Sequence, residues 1–75
     1  MIIPDDLLSD FKTAAVWRNT EQRVKTIEGA DWYGIVRGFY YNKHMHHIGV
    51  VVESDCSGST GSVHVYPIKQ VMALQ

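Results

Sequence analysis

The stretch Gly61–Val71 reads GSVHVYPIKQV, and its reading decides the fold. Val63 and Val65 alternate with His64 and Tyr66, the two-residue period of a strand whose successive side chains stand on opposite faces. Pro67 ends the ladder because it has no N–H to donate. The tail YPIKQV predicts one helical turn after Pro67, leading into a last short strand. An imidazole and a phenol share the non-valine face, which makes this strand the first place to look for a site.

Upstream, the chain carries further strand signals. QRVKTI (22–27) reads as a strand ended by Glu28-Gly29, and DWYGIVRGFYY (31–41) is rich in aromatic and β-branched residues. Its interior glycines, Gly34 and Gly38, mark a bulge, a bend or a close backbone approach. After the hairpin segment NKHMH comes HIGVVVES (47–54), a nearly continuous apolar strand, and then the Ser/Gly-rich loop DCSGST (55–60). Residues 2–16 instead carry a helical period. Leu7, Leu8, Phe11, Ala14 and Ala15 recur at helical spacing, Pro4 suits the first turn, and Asp5 and Asp6 complement the helix N-terminus. Short strands, tight connections and bending glycines predict an all-β, SH3-like barrel of about five antiparallel strands over 23–75. A short N-terminal helical segment and linker occupies 1–22.

The chain has 75 residues, so it forms one small domain that buries only about 60% of the surface its unfolded form exposes. Scaffolds of this size lean on disulfides, metals or self-association. Cys56 is the only cysteine, which excludes an internal disulfide and suits a reducing, cytoplasmic setting. No apolar run is long enough for a membrane span, and MIIPDDLLSD lacks a basic leader region. Seven Lys and Arg stand against eight Asp and Glu, without the basic excess of a nucleic-acid binder. The expectation is a cytoplasmic homo-oligomer that binds neither nucleic acid nor membrane.

The usual catalytic patterns are weak. His44, His46 and His47 offer metal-ligating imidazoles, but no acid or cysteine at ligand spacing joins them, and a solvated hairpin accounts for them. Cys56 has no basic neighbour or helix N-terminus to activate it. Ser62 and His64, two apart on a strand, stand side by side and cannot converge as a dyad. No phosphate-cradling glycine motif is present. Trp32 and Tyr33 are adjacent on a strand, so one ring points inward and the other outward, where it favours a subunit contact.

Taken together, RV, GADW, VES and GSVHVYP, running from about Arg23 to Val71, resemble the plasmid- and integron-borne type II (type B) dihydrofolate reductases. The family's signature at the last stretch is Gly-Ser-Val-Gln-Ile-Tyr-Pro; Gly61, Ser62, Val63, Tyr66 and Pro67 match it, and Val65 replaces isoleucine. The resemblance implies small SH3-like barrels that form a homotetramer around one central pore, insensitive to trimethoprim. It implies hydride transfer from the cofactor NADPH to dihydrofolate, driven by proximity and orientation, with solvent supplying the proton. Four copies of the GSVHVYP strand would line the pore. His64 and Tyr66 would then be the catalytic positions, and Ser62, His64, Val65, Tyr66 and Thr26 would bind the ligands. Two of these depart from the family: His64 stands where it has glutamine, and Thr26 where it has a lysine at the pore mouth. Lys25, next to Thr26, belongs to the opposite strand face. The alternative function class is a non-catalytic SH3-like homo-oligomeric module from a phage or mobile gene cassette, which binds another small planar ligand or a protein.

Overall fold

The computed structural model describes residues 3–27, 32–55, 58 and 61–74. Cys56, the Glu28-Gly29 turn and most of the Ser/Gly-rich loop lie outside them. The chain opens with a 3₁₀ turn, Asp5–Leu7, that runs into helix α1, Leu8–Thr20. Five strands follow: β1 Arg23–Thr26, β2 Tyr33–Asn42, β3 His47–Ser54, β4 Val63–Pro67 and β5 Val71–Ala73. A second 3₁₀ turn, Ile68–Gln70, joins β4 to β5, as the YPIKQV pattern predicts. All pairings are antiparallel, in the order β4-β3-β2-β1-β5. This is the expected short helix and five-stranded SH3-like arrangement, with one qualification: the sheet is not closed, and β4 and β5 are its edges.

The helix runs four residues beyond the expected 2–16. It stops where Glu21 enters the left-handed region (φ 52°), and the Gln22 N–H donates to the Trp17 carbonyl at 2.9 Å. A left-handed residue just past the last turn satisfies carbonyls that the helix leaves unpaired. Leu7 and Ala14 pack with Val24, Val36, Ile48, Val50, Val52, Ile68 and Val71 in one buried cluster. Helix and sheet therefore share a core, and Phe11 meets Phe39 edge-on at 5.3 Å. Fully burying one such Val, Leu or Ile stabilises by about 1.5–3 kcal/mol. The core is small and mostly β-branched, as a pleated surface favours.

The two interior glycines of β2 separate into the readings expected of them. A Cβ on Gly34 would meet the Val52 side chain and stand 2.7 Å from the Glu53 carbonyl oxygen, a close backbone approach. Next to Gly38 the register shifts between Val36 and Gly38, a bulge that leaves Arg37 as the extra residue. Arg37 turns outward to Glu21 (2.8 Å) and Glu53 (3.2 Å). Such exposed pairs each contribute at most about 1 kcal/mol. They orient the bulge more than they stabilise it.

Among the described residues, no helix is long and apolar enough to cross a membrane.

Candidate functional site around Trp32, His64 and Tyr66

The β3–β4 register decides which face of GSVHVYP is which. Val52 lies opposite His64 and Val50 opposite Tyr66. Both of those valines are fully buried, so the imidazole and the phenol stand on the core side of the sheet. Val63 and Val65 lie on the other side, 59% and 51% exposed. The apolar half of the alternation thus faces out, and the polar half faces in, at the open edge where the core thins.

Trp32, just ahead of β2, explains how that edge tolerates polar rings. Its indole meets His64 edge-on at 5.0 Å and Tyr66 at 5.4 Å, and the His64 and Tyr66 rings lie nearly parallel, 6.4 Å apart. Edge-on aromatic pairs contribute about 0.5–1.5 kcal/mol beyond burial. Tyr66 packs half-buried against the core and His64 is exposed. Trp32 is the inward ring of the Trp32–Tyr33 pair; Tyr33, on the other face, carries the Arg23 guanidinium over its ring at 5.7 Å.

A partly open cavity of about 410 Å³ lies beside this cluster, lined by Thr26, Ile27, Tyr66, Lys69 and Gln70. It exists because β1 and β5 pair, with Thr26 opposite Val71. The Ile27 N–H also donates to the Gln70 carbonyl at 3.0 Å. The end of β1 is thereby held against the 3₁₀ turn that follows β4. The volume lies within the range of small-ligand pockets, about 300–1,000 Å³. Among its described lining residues, Lys69 is the sole charged group, and none is a carboxylate or an imidazole.

Of the residues singled out in the sequence, Thr26 and Tyr66 meet on this cavity, and His64 joins them through the aromatic cluster. Ser62 and Val65 do not line it. The Ser62 carbonyl accepts the Ser54 N–H at 2.7 Å and the Gly61 N–H donates to the Ser54 carbonyl at 2.9 Å, so this segment pins the start of β4. Gly61 has φ 89°, a left-handed conformation that a residue with a side chain rarely adopts. Ile27, Lys69 and Gln70 are the lining residues that sequence reasoning missed. The YPIKQV turn was legible, but its place beside Thr26 depends on β1–β5 pairing across more than forty residues of chain.

The histidines of the β2–β3 hairpin go separate ways. His46, at φ 50°, places Nε2 2.7 Å from an Asp6 carboxylate oxygen and so ties the hairpin to the N-terminal turn. That hydrogen bond holds the Asp6 carboxyl below the usual carboxylate range. His47 meets Tyr40 edge-on at 6.4 Å and buries Nε2 without a hydrogen-bond partner among the described residues. Among the described residues, no group of three or more His, Cys, Asp or Glu is placed to hold a metal ion. Compared with known proteins, the chain matches no family model and no curated protein.

Proposed function

We propose that the protein is a divergent type II dihydrofolate reductase that works in the cytoplasm as a homotetramer. One observation carries this reading: Tyr66, from the GSVHVYP strand, and Thr26, from the RVKT strand, meet on one cavity. Those are two separate segments of the family resemblance. The open edge supports self-association. An edge strand with exposed valines on one side and ligand-type rings on the other is a liability in a free monomer, and second copies would cover it.

Bound NADPH would supply a hydride to the C=N bond of dihydrofolate, and water would supply the proton. The chain's own part is positioning. The Tyr66 hydroxyl and the His64 ring nitrogens offer hydrogen bonds to planar heterocycles, and Trp32 buttresses both rings from behind. The cavity's described lining holds no carboxylate or imidazole. That suits a reaction accelerated by proximity and orientation, a contribution that reaches about 7–11 kcal/mol in well-oriented systems.

The test is NADPH oxidation, followed by absorbance with dihydrofolate in the presence and absence of trimethoprim. Turnover insensitive to trimethoprim, reduced about tenfold or more by Tyr66→Phe and by His64→Ala, supports the reading; tenfold is the size of one neutral hydrogen bond. A monomer, or an oligomer that binds neither NADPH nor dihydrofolate, overturns it. The second of those outcomes favours a non-catalytic binding module, for which the exposed Val63 and Val65 face is the supporting observation.

A further inference from the structure

We propose that Lys69 makes the Tyr66 cavity an anion-selective site, one that takes a planar ring bearing a phosphate or a carboxylate. The proposal rests on the reading that this cavity is the ligand site, and it adds a residue that no sequence pattern assigned.

Four observations support it. First, Lys69 is the sole charge among the described lining residues, and the others are a phenol, a hydroxyl, an amide and an aliphatic side chain. That set can hydrogen-bond and pack against a heterocycle but offers no second group to neutralise an anion. Second, the lysine backbone is held in place. Ile68 before it is buried at 5% exposure, Pro67 starts its turn, and Gln70 after it is hydrogen-bonded to Ile27. A charge on a fixed backbone loses less freedom on binding than one on a loose loop. Third, Lys69 makes no ion pair among the described residues, whereas Arg23 and Arg37 are committed to Asp55, Glu21 and Glu53. Fourth, the other cation nearby in sequence cannot serve. Lys25 pairs in register with Tyr33 and Met72, one residue out of step with Thr26, and so belongs to the opposite face of β1.

A competing pull exists. Lys69 also borders a smaller cavity of about 180 Å³ shared with Asp10, His46 and His47, and Asp6 lies close enough to sense its charge weakly. The carboxylate of Asp6 is already engaged by His46, which leaves the Lys69 ammonium available to an incoming anion.

The test uses the full-length protein and two kinds of probe. Pyrophosphate alone, titrated while backbone amide resonances are followed, should shift Thr26, Tyr66, Lys69 and Gln70 in a saturable way. Lys69→Gln should abolish those shifts and Lys69→Arg should restore them. NADPH against NADH, and folate against pteroate, then separate the two sources of the anion. In low salt, Lys69→Gln should weaken the more highly charged member of the relevant pair (NADPH with its 2′-phosphate, or folate with its glutamate carboxylates) about tenfold more than its partner, and the difference should shrink as salt rises. If pyrophosphate leaves the cavity resonances unmoved, or Lys69→Gln responds like wild type, the proposal is overturned. If pyrophosphate binds at Lys69 while NADPH and dihydrofolate do not bind, Lys69 stands and the reductase reading falls.

Discussion

Replacing Gly34 with alanine is expected to destabilise the fold far more than the same change at Gly38, four residues along the same strand. At Gly34 the new methyl would sit 2.7 Å from the Glu53 carbonyl oxygen and 3.1 Å from its carbon, besides meeting Val52. Backbone cannot swing aside as a side-chain tip can, so β2 and β3 must part until 2.7 Å becomes the 3.4 Å of ordinary contact. Overpacking of this kind costs about 1–3 kcal/mol. The neighbouring Asp55 N–H to Tyr33 carbonyl bond, already 3.2 Å long, would stretch further, at a cost of up to about 1 kcal/mol. The total is about 1–4 kcal/mol. At about 4–8 °C per kcal/mol for a domain of this size, Tm should fall by roughly 5–30 °C. At Gly38 the methyl would meet only Val51 carbons at 3.8 and 3.9 Å. Its φ lies outside the left-handed region. Alanine there restricts the unfolded chain and should be neutral or stabilising by up to about 1 kcal/mol. Thermal and urea unfolding of the wild type and both variants, at equal protein concentration because self-association shifts Tm, is the assay. Equal losses at the two positions would refute the account of the β2–β3 contact. The strand pair also sets the Ser54 contact to the start of β4. Gly34→Ala should therefore also disturb the Trp32, His64 and Tyr66 resonances.

Three further outcomes are expected. Asp6→Asn removes a carboxyl whose folded pKa is depressed by the His46 hydrogen bond. Such a group stabilises above its unfolded value, near pH 4, and that contribution is lost as pH falls through the lower folded value. Stability measured from pH 6 to pH 2 should therefore fall less steeply in the variant than in the wild type, and identical slopes would refute the tether. His47→Phe removes the buried, unpartnered Nε2 while keeping a ring against Tyr40; it should be neutral or raise stability by about 1 kcal/mol in urea unfolding, and a loss above 1 kcal/mol would show that Nε2 is satisfied. Val65→Lys, on the exposed face of β4, should leave the fold within about 0.5 kcal/mol but dissociate an oligomer built on that face, as read by light scattering. An unchanged assembly would place the subunit contact elsewhere.

Local pattern carried much of the fold. HIGVVVES corresponds residue for residue to β3, and YPIKQV to the end of β4, its 3₁₀ turn and the start of β5, because alternation and proline chemistry act within a few residues. The helix end was less legible. Its stop depends on Glu21 adopting a left-handed conformation, which glycine would have signalled and glutamate does not. The site was legible in parts. His64 and Tyr66 stood out as polar rings in a strand, and Thr26 was marked by alignment to a resembling family. Lys69 and Gln70 gave no such signal.

By itself, the sequence determined that this is a mostly β chain with a short leading helix, and that one strand carries two polar rings on a single face. These follow from the two-residue period of strands, the period of 3.6 of helices, and proline's missing donor, all of which act locally. Only the tertiary structure decided that the valines of that strand face outward and the rings inward against Trp32. It alone brought Thr26 and Lys69 to one cavity. Both outcomes depend on which strands pair and in what register, and a one-residue slip would turn every side chain of β4 to the other face.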